Sequence, residues 1–162
     1  MTRHIERQIE HLKERILRLG TLVEEAISRS ISAVINRDVA LAQRVLASDE
    51  AIDRMEVEVE EECLKILALY QPVAADLRFV VAVLKINNDL ERMGDLAKNI
   101  AKRVAQLEDA GPLELPPEIR TMATQAEEMV RECLAAVVDG DPVLARRIRE
   151  QDDAVDVQRQ RV

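Results

Sequence analysis

Glu91 and Asp95 stand one helical turn apart in "NDLERMGDLAKN", residues 88–99, and Asp49 and Asp53 form a like pair in "ASDEAID", residues 47–53. Like charges spaced i,i+4 on a helix face cost it about 0.2–0.5 kcal/mol per pair. Carboxylate oxygens, with Asn88 and Asn99 extending the row, suit Mg2+, Ca2+, Mn2+ or iron better than a thiolate-type zinc site does. Pro72 is the natural pivot between the two segments. Asp53 lies 19 residues before it and Glu91 lies 19 after, while Asp49 and Asp95 lie 23 before and 23 after. At about 1.5 Å of rise per residue, both pairs stand about 30 Å from the turn. A D-x-x-x-D then faces an E-x-x-x-D at one level, and four such charges repel one another unless a cation is bound. The competing reading is a solvated acidic helix face, which is common on exposed helices.

Other chemistries lack their residues. Carboxylate di-iron bundles use Glu-x-x-His, whereas His4 and His11 follow Met1 and Gln8 at that spacing, and both read as surface positions. No Ser-His-Asp grouping, glycine-rich phosphate loop or Cys-x-x-Cys is present, so no enzyme is expected. Cys63 and Cys133 each sit in an "ECL" triplet and are expected to be buried free thiols. A formal charge of −8 opposes nucleic-acid phosphates and permits cations or a basic protein surface. No stretch of about 18 residues is apolar and free of charge, as a membrane span requires. The opening "MTRHIERQIEH" has no apolar core for a signal peptide. The cytoplasm is the expected location, peripheral to a membrane at most.

The elements that must position these residues are helices. Aromatics make up 1% of the chain against 48% hydrophobic residues, a balance that suits helices packed through aliphatic side chains rather than strands. Helix one is predicted over about 3–35, where Ile5, Ile9, Leu12, Ile16, Leu19, Val23, Ala26, Ser30 and Ala33 alternate four and three apart as a heptad seam. "NRD" breaks it, and Asp38 is the predicted N-cap of helix two. That helix spans about 39–70, with Val45, Ile52, Met55, Val59, Cys63, Ile66 and Tyr70 on one side. Pro72 then pushes Gln71 out of helical geometry. Helix three carries Val83, Ile86, Leu90, Met93, Ala97, Ile100, Val104 and Leu107. Three long helices with short connections predict an antiparallel bundle over 1–108. "EDAGPLELPP" supplies a linker over 109–117. Helix four (118–138) follows, and "DGDP" stops it and starts helix five at Pro142.

Sliding the chain by 103 residues reveals a repeat. Residues 24–53 align without a gap on 127–156 and eleven of the thirty pairs are identical, among them Asp38/Asp141, Asp49/Asp152 and Asp53/Asp156. Heptad similarity alone would not place one D-x-x-x-D on another. The fold class expected is all-α with tandem three-helix bundles. The second, over 118–162, is incomplete, because its third helix and its E-x-x-x-D near 194–198 would lie past Val162. Leu144, Ile148 and Val155 should then form an exposed apolar stripe covered by another chain, which predicts a homodimer or larger assembly.

"ILALYQPVAADLRFVVAVLKINNDLERMGDLAKNIAKR", residues 66–103, closely resembles the signature of the PhoU family of phosphate-transport accessory proteins. "QPVAADLR", "LKI", "DLERMGD" and "NIA" occur in order with that family's spacing. The resemblance implies tandem three-helix bundles and a negative regulator of the phosphate-starvation response. It also implies contact with the phosphate ABC transporter and with a sensor histidine kinase. Metal ions are the implied cofactors, with iron, manganese, magnesium and zinc all eligible. The ligands would be Asp49, Asp53, Glu91, Asp95, Asp152 and Asp156. Where many members carry a His after the motif's last Asp, this chain has Leu96, which removes one ligand. Without the resemblance, the residues support a metal-binding helical interaction module. The alternatives are a coiled-coil-like scaffold without metal and, disfavoured by its histidines, a di-metal oxidoreductase.

Overall fold

The computed structural model describes residues 2–108 and 116–160, and every element among them is helical: α1 (Thr2–Asn36), α2 (Val39–Tyr70), α3 (Ala74–Glu108), α4 (Pro117–Asp139) and α5 (Pro142–Arg159). Most of the linker expected over 109–117 lies outside the described residues. The first three helices pack mutually, α4 packs on α1, and α5 packs on α4. Leu12, Ile16, Leu19 and Val23 of α1 are fully buried against Val59 and Ile66 of α2 and Val80 and Val83 of α3. Each large aliphatic side chain buried in this way contributes about 1.5–3 kcal/mol. No helix among the described residues is long and apolar enough to cross a membrane.

The seam on α3 is rotated from the one expected. Its buried row is Val83, Asn87, Leu90, Gly94, Ala97 and Ala101, while Ile86, Met93 and Ile100 are half-buried beside it. Packed against two helices at once, α3 turns its small residues toward the closest approach. A β-carbon on Gly94 would stand 3.1 Å from Ile52 Cγ2, so this glycine lets α2 and α3 come together.

The boundaries follow local chemistry. Asp38 Oδ1 accepts a bond from Leu41 N at 2.8 Å, satisfying one of the free N–H groups at the start of α2. Gln71 ends α2 in the left-handed region at φ 47°. The turn between α1 and α2 recurs, 103 residues on, between α4 and α5. Asp38 N donates to Ala33 O at 2.9 Å and Asp141 N to Ala136 O at 2.8 Å. Asp141 also caps its helix, accepting from Val143 N at 2.9 Å. The left-handed residue is Arg37 in the first turn and Gly140 in the second.

Two expectations are corrected. Cys63 is buried but Cys133 is exposed, because Leu134 and Val130, not Cys133, point α4 into the core. Ile148 is 5% exposed rather than open, and Leu144 and Val155 are half-buried, since α4 already covers that side of α5; among the described residues there, Val143 and Val157 are large apolar side chains left exposed. The core is also continuous from the first three helices into α4, with Val130 and Leu134 in the same cluster as Leu12 and Ile16.

Candidate metal site between the second and third helices

Asp49 follows Val45 and precedes Ile52 on the buried stripe of α2, and it is 7% exposed. Asp49 thus holds a core-facing place in the α2–α3 contact, unlike a residue of a solvated acidic face. A buried carboxylate needs a partner, and the Lys98 ammonium of α3 donates to its Oδ2. The same ammonium lies 3.9 Å from Asp95 Oδ1. Hydrogen bonding to Asp49, opposed by partial burial and aided by the carboxylates around it, holds the Lys98 pKa above the ordinary lysine value.

Glu91 is half-buried one turn before Asp95, while Asp53 and Asp95 are exposed. The Glu91 carboxyl is pushed above the ordinary glutamate range first by burial, then by the charges of Asp95 and Asp53, with Asp49 further off. The four residues predicted on α2 and α3 therefore share one electrostatic neighbourhood. Asp152 and Asp156 do not join it. They are exposed on α5, where Asp156 pairs with Arg159 at 3.3 Å and Asp152 borders an open depression beside Arg146 and Arg149.

Two further residues belong to the neighbourhood. Glu56, one turn past Asp53, is raised in pKa by burial and then by Glu60, Glu91 and Asp53. Asn87, 2% exposed, donates through Nδ2 to the Glu56 backbone oxygen at 3.0 Å and to Glu56 Oε1 at 3.2 Å. Its Oδ1 is buried without a partner, which in a folded protein costs about 1–3 kcal/mol. The sequence carried a signal for Asn87, a lone amide in the apolar row Val83–Asn87–Leu90.

The donor set suits a hard cation: carboxylate oxygens from two facing helices. Asp49 and Asp53 would supply it from α2 and Glu91 and Asp95 from α3, since Asn87 lies two turns from Asp95 and cannot share one ion with it. The carboxylates do not converge as a ready cage, for no three His, Cys, Asp or Glu side chains do so among the described residues.

Comparison with known proteins gives this arrangement a context. The PhoU domain family matches residues 16–104 and 119–162. A phosphate-specific transport system accessory protein PhoU homolog of Aquifex aeolicus is 39% identical over 93% of this chain and 68% of its own length. The homolog of that name in Pseudomonas aeruginosa is 38% identical over 96% of this chain and 66% of its own length. The chain thus spans about two thirds of these relatives. The crystal structure of PhoU from Pseudomonas aeruginosa superposes with a TM-score of 0.88 at 36% identity, covering 94% of this chain and 74% of that one. The phosphate transport system regulatory protein PhoU from Streptococcus pneumoniae gives 0.87 at 30% identity, covering 95% and 72%. Matched by the family over most of its length, and by these relatives through all five of its helices, the chain belongs to the PhoU domain family.

Proposed function

We propose that this chain regulates phosphate uptake and the phosphate-starvation response as a metal-binding helical adaptor between a phosphate ABC transporter and a sensor histidine kinase. It is not an enzyme in this reading, and it works in the cytoplasm as a homodimer or larger assembly. Residues 1–108 form one three-helix unit, and 118–162 form part of a second. The names carried by its relatives support the phosphate role. The observation that carries the metal is the cluster of Asp49, Asp53, Glu91 and Asp95 on two facing helices, close enough for the other three charges to act on Glu91. A bound Mn2+, Mg2+ or iron would relieve their repulsion and hold α2 and α3 in register. Asp152 and Asp156 are half of a second such site.

The test pairs a cellular with a chemical readout. In cells lacking their own copy of this protein, the chain should restore repression of a phosphate-starvation reporter in phosphate-rich medium. Glu91→Ala with Asp95→Ala should abolish metal uptake and leave the helical content intact, since neither residue is on the buried row. A chain that restores no repression overturns the regulatory reading. Full repression by a double variant that holds no metal favours the second reading, a helical interaction module without metal. The Lys98–Asp49 contact, which neutralises part of the cluster from within, is the observation on that side.

A further inference from the structure

Lys98 places a positive charge inside the group of carboxylates where a metal would go. It arises from α3, one turn after Asp95, and crosses to α2 to donate to Asp49 Oδ2. Its second neighbour is Asp95 Oδ1 at 3.9 Å, so one ammonium bridges two of the four proposed ligands, one from each helix. The side chain of Asp49 is 9% exposed and that of Lys98 is 31% exposed. Asp49 is therefore fixed in the contact, while Lys98 has an open route to solvent along its flexible stem.

A divalent cation bound here needs the Asp49 oxygens at about 2.0–2.6 Å. The ammonium uses the same carboxylate, and two cations at that distance from one carboxylate repel. Docking of Lys98 therefore opposes binding of metal at the same carboxylates. With Lys98 docked the cluster is partly neutralised and Asp49 has its partner; with it withdrawn, Asp49 and Asp95 are released as ligands together. The carboxylates do not converge as a cage among the described residues, and two of them, Asp49 and Asp95, share the lysine instead.

We propose that Lys98 is a tethered counter-ion that competes with the metal for Asp49 and Asp95 and so sets the metal affinity of this member of the family. This rests on the proposal that the carboxylates bind metal. The apparent affinity is the intrinsic one reduced by the fraction of molecules in which the lysine is withdrawn, so docking for nine-tenths of the time weakens binding about tenfold. The tether also gives the metal-free protein a stable form. Without it the cluster would be an open set of like charges, with one member buried and unpaired.

The experiment is a titration of chelator-treated full chain with Mn2+ by calorimetry, for the wild type, Lys98→Met and Lys98→Arg, with a thermal melt of each. Lys98→Met keeps the length of the stem and removes the charge, and should bind Mn2+ about tenfold more tightly. Its metal-free form should melt below the wild type and gain more on adding Mn2+. Lys98→Arg, which keeps the charge, should stay close to the wild type in affinity. Lys98→Gln provides the same comparison if the methionine variant does not fold. Mn2+ binding by Lys98→Met alone, with none by the wild type, also supports the proposal. Wild-type binding with equal or weaker affinity in Lys98→Met overturns the role of Lys98 and leaves the metal site standing. Absence of binding in every variant overturns both.

Discussion

Leu134 of α4 occupies the space that a side chain on Gly20 of α1 would need: a β-carbon built on that glycine overlaps the Leu134 Cδ1 methyl. Both residues are buried, so this is a close crossing between α1 and the α4–α5 hairpin. Gly20→Ala should lower stability by about 1–3 kcal/mol through overpacking, even though alanine is the better helix former. Leu134→Ala should cost about 2–5 kcal/mol. Combined with Leu134→Ala, the glycine substitution should change sign and stabilise by up to about 1 kcal/mol, because only its helix propensity remains. Urea unfolding of the four proteins measures the cycle. A stabilising Gly20→Ala in the wild-type background would show that α4 yields at this point.

Arg37 and Gly140 hold the same left-handed backbone in two equivalent turns, at φ 52° and 67°. That region costs an L-residue about 1–2 kcal/mol and glycine almost nothing. Arg37→Gly should therefore leave stability unchanged or raise it by about 0.5–1 kcal/mol, the strain relief being offset by the freer unfolded chain. Gly140→Ala should lower it by about 1 kcal/mol, through backbone strain alone, since nothing lies within 4 Å of the added carbon. A loss for Gly140→Ala with no loss for Arg37→Gly is the diagnostic result.

The two thiols should react at very different rates. Cys63 is fully buried, and burial together with the Glu62 and Glu60 charges pushes its pKa up to about 12. Cys133 is exposed, and its thiol is raised, first by partial burial and then by Glu132 and Asp152. An aromatic disulfide reagent at pH 8 should titrate one thiol per native chain, more slowly than a free cysteine, and the second only on unfolding. Cys133→Ser should abolish the native reaction. Two equally fast thiols would mean that the bundle opens at Cys63.

Glu127 carries a pH dependence at the α1–α4 crossing. Burial raises its pKa, the Ser28 side chain lowers it, Glu24 raises it and Arg131 lowers it, with a net upward shift. Between the ordinary glutamate value and the raised one, the folded chain keeps a proton that the unfolded chain releases. Stability from this group is therefore greatest at low pH and falls as pH rises through that window. Glu127→Gln should remove this part of the slope and be slightly the more stable at pH 7. The gain should be about a few tenths of a kcal/mol, because the group is partly exposed and screened. A slope unchanged by the substitution would place the titration elsewhere.

The helices are legible in the sequence because aliphatic residues such as Leu12, Ile16, Leu19 and Val23 recur at one period and little else competes with them. Asp38 and Pro72 mark the turns through local chemistry that tertiary contacts do not override. Matching heights about Pro72 brought Asp53 and Glu91 together for the same reason, since rise per residue is fixed. Depth and reach are less legible. Asp49 falls on the buried stripe between Val45 and Ile52, but its charge suggests an exposed face until Lys98 is seen to meet it. The rotation of α3 depends on Gly94 and Ala97 packing on two helices at once. The docking of α4 on α1 depends on one glycine and a few side-chain pairs, which no periodic pattern marks.

The crossing of α1 and α4 is reciprocal. Glu24 of α1 accepts from Arg131 of α4 at 3.1 Å, and Ser28 of α1 meets Glu127 of α4. Positions 24 and 28 are the ones that 127 and 131 repeat, 103 residues later. Contacts of that form are what a unit makes with its own twin across a two-fold axis. Two free twins would hold such a face only at sufficient concentration. Carried on one chain, each meets the other at an effective concentration of about millimolar order, so the joint survives dilution that would part separate molecules.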